Sequence, residues 1–247
     1  MKLTVIGSAP AYTSQPCRSS SCYLVEHEGT QIVLDFGQGS FSELRRYRDP
    51  STVSAVAISH LHADHCVDLI PLRHFVRFER GGHGPLLYAP AQLRSRFEAF
   101  QATGNFFGDL DGGALDAGTF RVGDLNIEAA RVAHIPDSFA FRVVPADDDG
   151  PGLVYSGDCG IADDLLPLIR PGDVLLSEAA FGTERDTPGI HLTAAEAASV
   201  ADRGSAARLI LTHVLDRNDR PPMLEAARSG FSGGIEFAEP GMTVDIR

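Results

Sequence analysis

The chain has 247 residues, of which 43% are hydrophobic and 22% are charged, and its formal net charge is -12. These fractions are ordinary for a soluble globular protein, and no apolar run reaches the ~18 residues that a membrane helix needs. Proteins that bind nucleic acid through many phosphates usually carry a basic surplus, so the charge argues against a large nucleic-acid partner. We expect a single domain over residues 1–247, located in the cytoplasm and without a membrane partner.

Short β-type runs recur along the chain, and each is followed by a turn signal, which predicts a protein rich in strands. In chain order the predicted strands are Leu3–Ile6, Cys22–Glu26, Gln31–Asp35, Ala55–Ser59, Leu86–Ala89, Leu125–Ala133, Phe139–Pro145, Leu153–Ser156, Val174–Ser177, Arg208–Thr212 and Met242–Ile246. Apolar residues at helical spacing predict helices between several of these strands. The predicted helices are Phe41–Tyr47, Val67–Glu79, Ala91–Ala102, Ile161–Ile169, Ala194–Asp202 and Pro222–Arg228. Before the fifth helix, Thr193 and Glu196 have the spacing of a capping box.

The two halves of the chain differ in how these elements are arranged. Strands cluster in the first half, whereas helices and strands alternate in the second, which predicts an α/β protein with two facing sheets and helices outside. The acidic run Asp147–Asp149 lies between two predicted strands and indicates a hairpin tip. The Gly- and Asp-rich segment Gly104–Gly118 is typical of a long surface loop, one that could lie over a site.

The segment His60–His65 contains three histidines and one aspartate within six residues, directly after a buried predicted strand. We expect it to form a loop that turns several side chains toward one point. Imidazole nitrogens and carboxylate oxygens are the ligands that zinc prefers outside thiolate sites. Further candidates, His134, Asp158 and His213, each follow the C-terminal end of a predicted strand. Four such strand ends would gather on one rim of a sandwich and form a metal site.

Cys66 and Cys159 each follow a candidate ligand directly. Either thiol could be a soft extra ligand, but the role of small buried filler is favoured. The chain has four cysteines and no CxxC pair, so the sequence indicates neither a disulfide framework nor a structural zinc knuckle.

This constellation resembles the metallo-β-lactamase superfamily. The match comprises His60-x-His62-x-Asp64-His65, then His134, the Asp158 of Tyr-Ser-Gly-Asp and the His213 of Leu-Thr-His. Asp35 matches the family's early aspartate, which supports the metal loop. The resemblance runs from residue 3 to the C-terminus and implies a four-layer αββα sandwich.

Within that superfamily, the chain is most similar to the ribonuclease Z branch and its phosphodiesterase relatives. Residues 35–40 (Asp-Phe-Gly-Gln-Gly-Ser) resemble that branch's Asp-Cys-Gly-Glu-Gly-Thr. Residues 177–181 (Ser-Glu-Ala-Ala-Phe) resemble its His-Glu-Ala-Thr-Phe, and residues 191–194 (His-Leu-Thr-Ala) resemble its His-Ser-Thr-Ala. The last two motifs are more selective than the metal motif, because lactamase and lactonase branches generally lack them.

The resemblance implies two zinc ions per chain, although the same ligands also suit Mn²⁺ or Fe²⁺. The implied ligands are His60, His62 and His134 for one metal, Asp64, His65 and His213 for the other, and Asp158 as the bridge. Asp64 would also orient the attacking water. His191 is the implied general acid, with Glu178 holding it in place. Homodimers are common in this branch, so a homodimer is also expected.

Two departures from the branch bear on the substrate. Only 23 residues separate His134 from Asp158, too few for the long arm with which tRNA-cutting members grip tRNA. Ala63 also departs from the His-x-His-Leu-Asp-His form of one class of cyclic-nucleotide phosphodiesterase. The leading hypothesis is a phosphodiesterase acting on a small phosphodiester such as a cyclic nucleotide. The alternatives are a ribonuclease Z-type tRNA 3′-end endonuclease, a lactone or carboxylic ester hydrolase, and a non-catalytic metal-binding protein.

Overall fold

Two mixed β-sheets face one another in the computed structural model, which describes residues 1–101, 107–108, 110–148 and 150–247. In chain order the strands are β1 (Lys2–Gly7), β2 (Cys22–His27), β3 (Thr30–Leu34), β4 (Ala55–Ala57), β5 (Leu86–Ala89), β6 (Gly112–Ala114), β7 (Gly118–Val122), β8 (Leu125–Arg131), β9 (Phe139–Pro145), β10 (Leu153–Tyr155), β11 (Val174–Glu178), β12 (Arg208–Thr212), β13 (Gly234–Phe237) and β14 (Thr243–Asp245). Within the described residues, one sheet has the order β14-β1-β2-β3-β4-β5-β6 and the other β13-β12-β11-β10-β9-β8-β7.

Both sheets combine an antiparallel part with a parallel part. Strands β1 to β3 pair antiparallel, and β3 to β6 continue in parallel. Strands β7 to β10 pair antiparallel, and β10 to β13 continue in parallel. Parallel neighbours need crossover connections, and these place the helices on the outer faces.

The helices are α1 (Ser40–Tyr47), α2 (Ala63–Cys66), α3 (Leu69–Glu79), α4 (Leu93–Gln101), α5 (Ala194–Arg203) and α6 (Arg220–Arg228), with 3₁₀ turns at Pro50–Thr52 and Ala162–Leu165. One apolar cluster lies between the sheets, where Tyr23 of one sheet packs in the same core as Phe141 of the other. Two further clusters lie under the helices, one around Leu72 and one around Ala197. The layers are therefore helix, sheet, sheet, helix, and the predicted sandwich is confirmed.

Three local predictions are corrected. The segment Ile161–Ile169 is predicted as a helix but forms only the 3₁₀ turn Ala162–Leu165, because Pro167 has no amide hydrogen to continue the helical hydrogen bonds. The segment Gly104–Gly118 is predicted as a surface loop but contains β6; residues 104–106 and 109 lie outside the described residues. Gly112 suits this strand because a Cβ there would lie 2.0 Å from the carbonyl oxygen of Leu87. Strands β7 and β13 have no counterpart among the predicted elements.

Other local predictions agree with the structure. The hydroxyl of Thr193 accepts a hydrogen bond from the Glu196 amide at 3.3 Å, and the Glu196 carboxylate accepts one from the Thr193 amide at 2.9 Å, so the capping box is present. Strands β9 and β10 form the expected hairpin; Asp147 and Asp148 lie in its connection, and Asp149 lies outside the described residues. Among the described helices, none has the length and hydropathy required to cross a bilayer.

Candidate metal centre

The ends of four strands bring the predicted site residues together on one rim of the sandwich. His60 follows β4, His134 follows β8, Asp158 follows β10 and His213 directly follows β12. The carboxyl ends of the neighbouring parallel strands β10, β11 and β12 meet at the same edge, so Asp158, His213 and Glu178, at the end of β11, are neighbours. His213 has a left-handed backbone with a φ of 55°. A non-glycine residue in this region is held there by its surroundings.

The metal motif is not a plain loop, as the sequence predicts, but an extended segment followed by the short helix α2. His62 is the extended residue before the helix, so Asp64 and His65 lie on its only turn. The amide of Phe36 donates a hydrogen bond to the His65 carbonyl at 2.7 Å, which joins the turn to the loop after β3. A Cβ at Gly37 would lie 1.9 Å from the carbonyl oxygen of Asp64, so this close approach requires glycine.

Three histidines and one aspartate form the first group of convergent side chains, which we name the outer cluster (His60, His62, His134 and Asp158). Nδ1 of His62 lies 3.0 Å from Nε2 of His60 and 3.2 Å from Nε2 of His134. Oδ2 of Asp158 lies 3.6 Å from each of these two Nε2 atoms. His62 is exposed, so this cluster opens to solvent.

Asp64, His65 and His213 form a second group, the inner cluster, whose members are all buried. Oδ2 of Asp64 lies 3.0 Å from Nε2 of His213 and 3.5 Å from Nε2 of His65. Oδ1 of Asp158 lies 3.3 Å from Nε2 of His65 and 3.6 Å from Nε2 of His213. The two carboxylate oxygens of Asp158 therefore face different clusters.

Hydrogen bonds orient three of the histidine rings so that one nitrogen of each faces the site. Nδ1 of His65 donates to Asp35 at 2.7 Å, and Nδ1 of His134 donates to the Ile190 carbonyl at 2.7 Å. Ser59 donates its hydroxyl hydrogen to Asp35, so its oxygen accepts from Nδ1 of His60 at 3.1 Å. Each Nε2 is then left with a lone pair directed at the cluster, which is the tautomer that binds a metal.

Asp35 is the centre of the hydrogen bonds behind the site, as the sequence predicts for a residue that supports the metal loop. It accepts from the amide and the hydroxyl of Ser59 at 2.6 and 2.7 Å, from His65, and from the hydroxyl of Tyr155 at 2.6 Å. The sequence reasoning missed Ser59 and Tyr155. A signal was present for Tyr155, because a tyrosine in a buried strand needs a partner for its hydroxyl.

His191 lies beside both clusters and is held by Glu178. Its Nδ1 is 2.9 Å from Oε1 of Glu178 and 3.9 Å from Oδ2 of Asp158. Glu178 is fully buried and also accepts hydrogen bonds from the amides of Cys159, Ala180 and Leu192. Glu178 is therefore both the partner of His191 and a carboxylate bound by backbone amides.

The pKa values in the outer cluster favour neutral imidazoles. Burial, together with the neighbouring His65, lowers the pKa of His60 well below its usual value, and burial lowers the pKa values of His62 and His134. A neutral imidazole keeps the lone pair that a metal needs.

The inner cluster favours positive charge instead. Burial opposes protonation of His65, but the carboxylates of Asp158 and Asp35 outweigh it and raise the pKa of His65 well above its usual value. Burial alone would raise the pKa of Asp158, yet His213, His65 and His60 hold it well below its usual value. The surroundings therefore stabilise a cation here, whether a proton or a metal ion.

Unpartnered polar atoms show that the site fits a metal. Among the described residues, four buried side-chain nitrogen or oxygen atoms lack a hydrogen-bond partner, and three of them belong to the site: Nε2 of His65, Oδ1 of Asp158 and Nδ1 of His213. Buried polar atoms without partners are rare and need an explanation. Two of the three face each other across 3.3 Å, and a shared cation would satisfy both.

The two cysteines beside the ligands are bound to the backbone. Sγ of Cys66 donates to the His62 carbonyl and Sγ of Cys159 donates to the Ile161 carbonyl, both at 3.2 Å. Burial raises the pKa of each thiol to about 12. Thiols with such pKa values remain protonated at neutral pH, and only thiolates are good metal ligands. The favoured role of buried filler therefore agrees with the structure.

Comparison with known proteins gives one family match and full-length relatives. The family model "Beta-lactamase superfamily domain" matches residues 30–214. An uncharacterised protein of Mycobacterium tuberculosis is 34% identical, over 100% of this chain and 93% of that protein. A ribonuclease Z of Natronomonas pharaonis is 25% identical, over 100% of this chain and 98% of the relative. The crystal structure of the metallo-beta-lactamase fold protein YhfI from Bacillus subtilis has a TM-score of 0.86 at 26% identity, over 98% of both chains.

Proposed function

The chain belongs to the beta-lactamase superfamily, and from this premise we propose that it is a two-metal phosphodiesterase acting on a small phosphodiester such as a cyclic nucleotide. Its relatives are metal-dependent hydrolases, and its His/Asp cluster binds metal, so the hydrolase class is given by the family. The number and identity of the metals, the residue roles and the substrate belong to the proposal, as does the single domain over residues 1–247.

The proposed ligands follow the two clusters. His60, His62 and His134 would hold one divalent ion, and Asp64, His65 and His213 the other. Asp158 would bridge the two, because its oxygens face different clusters. Zinc is the proposed metal, since imidazole and carboxylate ligands without thiolate suit it, with Mn²⁺ or Fe²⁺ as alternatives. When bound, such ions acidify water and offset the negative charge of a phosphoryl group.

Within this site, each protein group has a distinct task. The carboxylate of Asp64 lies next to His213 at 3.0 Å. In the proposed reaction it would accept a hydrogen bond from the attacking water and orient it. Asp35 and Ser59 keep the rings of His65 and His60 aligned. Fixed orientation of this kind lowers the barrier, because the reacting groups need not reorganise during the reaction.

The single observation that carries the phosphodiesterase proposal is the Glu178–His191 pair, 2.9 Å apart and next to Asp158. Glu178 accepts a hydrogen bond from Nδ1 of His191, so the other ring nitrogen can donate a proton to a leaving oxygen. An alkoxide leaving group of a phosphodiester needs such a donor, so the pair supports this reaction. It also disfavours a non-catalytic metal-binding protein, which has no use for an oriented proton donor.

The dimensions of the chain support a small substrate. Strands β9 and β10 are joined by residues 146–152, which leaves no room for a long arm between His134 and Asp158. The alignment with the Natronomonas ribonuclease Z extends over 302 positions, more than the 247 residues of this chain, so that relative carries insertions that are missing here. A tRNA 3′-end endonuclease is therefore the second candidate, favoured by similarity to ribonuclease Z proteins.

The proposal is tested by assaying the purified protein on cyclic nucleotides, a pre-tRNA and a lactone panel side by side. We expect hydrolysis of a cyclic nucleotide and no cleavage of pre-tRNA or lactones. The His191→Ala variant should lose about a hundredfold or more in kcat on an alkyl phosphodiester, within the range for general acid catalysis. It should lose far less on bis(p-nitrophenyl) phosphate, whose leaving group needs no proton. Equal losses on both substrates would remove His191 from this role, and cleavage of pre-tRNA alone would establish the second candidate.

A further inference from the structure

An apolar pocket lies beside the metal motif, between α2, the start of α3 and α4. Its cavity volume is about 270 Å³, close to the lower end of the ~300–1,000 Å³ typical of small-molecule sites. Leu61 and Ala63 form one side of it, and Phe97 and Phe100 of α4 form another. The function proposed above assigns no task to this pocket.

The pocket and the outer cluster share one segment of the chain. Leu61 and Ala63, which line the pocket, flank His62, which belongs to the cluster and is exposed. Cys66 also lines the pocket, and its thiol donates to the carbonyl of His62 at 3.2 Å. The pocket therefore adjoins the segment of the chain that carries His62.

The lining selects a flat, uncharged group. Every lining side chain is aliphatic or aromatic except the thiol of Cys66 and the guanidinium of Arg96. Phe100 is 73% exposed, and an exposed phenylalanine at the edge of an apolar pocket is a surface on which a ring can stack. Arg96 provides the positive charge of the lining, and a guanidinium also stacks on the face of an aromatic ring.

We propose that this pocket binds the aromatic ring of a phosphate ester, such as a nucleobase, while the phosphate lies at the two clusters. This inference rests on the proposed phosphodiesterase function and adds what the substrate carries beside its phosphate. Because the lining offers few hydrogen-bonding groups, the pocket recognises the ring by stacking and shape. Adenine and guanine are therefore expected to bind with similar affinity.

The test compares adenosine 5′-monophosphate with ribose 5-phosphate, which share sugar and phosphate and differ only in the base. In titration calorimetry of the metal-loaded protein, the nucleotide should bind at least about tenfold more tightly, as expected for stacking of one base. Phe100→Ala should lower nucleotide affinity about tenfold and leave ribose 5-phosphate affinity within about twofold. Phe100→Tyr, which keeps the ring, should retain the preference.

Phe78→Ala is the matched control. Phe78 is also 73% exposed, but it lies on α3 and does not line the pocket. The Phe78→Ala variant should bind adenosine 5′-monophosphate and ribose 5-phosphate as tightly as the wild type does. Equal behaviour of the Phe100→Ala and Phe78→Ala variants would overturn the proposal. Sedimentation of the same samples gives a second check. If only Phe100→Ala converts a dimer to a monomer, a second copy of the chain covers the pocket. That outcome would also overturn the proposal.

The two proposals fail separately. If the purified protein hydrolyses no phosphodiester in the substrate panel but still binds the nucleotide more tightly than ribose 5-phosphate, the proposed reaction is wrong and the ring pocket is retained. Activity on phosphodiesters without any preference for the nucleotide would remove the pocket alone.

Discussion

The inner and outer clusters use the same kinds of side chain but differ in how those side chains are supported and covered. The inner cluster is wholly buried, and carboxylates that raise the pKa of His65 surround it. The outer cluster includes the exposed His62, and burial lowers the pKa values of its histidines. The inner position is therefore arranged to hold a cation, whereas the outer one is open to solvent.

The supporting hydrogen bonds differ in the same sense. His65 is bound directly to Asp35, which three further hydrogen bonds hold in place. His60 reaches Asp35 only through the hydroxyl of Ser59, and His134 is bound to the carbonyl of Ile190 in an exposed segment. Partners of this kind tune metal affinity. For the proposed two-metal site, we therefore expect the inner ion to be held more tightly and the outer ion to exchange more readily.

The largest effect is expected from Asp64→Ala, which removes an inner ligand and leaves His213 without its partner. Hydrolysis of bis(p-nitrophenyl) phosphate should fall by more than about a hundredfold, since loss of a ligand exceeds the 10–100-fold loss typical of a supporting residue. Elemental analysis should find close to two transition metals per chain in the wild type and about one in the variant. Circular dichroism checks the fold. Full activity, or a wild-type protein without metal, would contradict the assignment.

A second prediction concerns the order in which the metals leave. Stepwise dialysis against a chelator should remove about one metal per chain first, because only the outer cluster is open to solvent. In the His62→Ala variant that first, weakly held metal should already be missing, while the second should remain as tightly bound as in the wild type. Simultaneous loss of both metals, or an equal effect on both, would remove the difference between the clusters.

The smallest effect is expected from Tyr155→Phe, which deletes one of the four hydrogen bonds to Asp35. Affinity of the inner metal should fall about tenfold, at the low end for a supporting residue, with little change in the outer metal. Tyr23→Phe is the matched control: its ring packs against Tyr155 at a centroid distance of 4.8 Å, but its hydroxyl is bound to Thr212. A similar loss in both variants would indicate a general packing effect instead of support through Asp35.

Features that arise from neighbouring residues were predictable from the sequence. The strands, the Thr193 capping box and the dense segment His60–His65 each depend on short-range patterns of side chains. The family resemblance extended this to distant ligands, since the order of motifs along the chain implied which residues meet. Errors occurred where a local pattern competed with tertiary contacts, as in β6, whose glycine-rich sequence is typical of a loop but pairs with β5.

The amino-acid sequence was enough to predict a metallo-β-lactamase-fold hydrolase with a histidine–aspartate metal site. How the two clusters differ became visible in the folded chain. Asp64 meets His213 across 149 positions of the chain, and Tyr155 meets Asp35 across 120. The burial of one cluster, the exposure of the other and the pocket beside it depend on how sheets and helices pack. Such contacts join residues that are far apart in the chain, so local sequence patterns alone do not indicate which residues will meet.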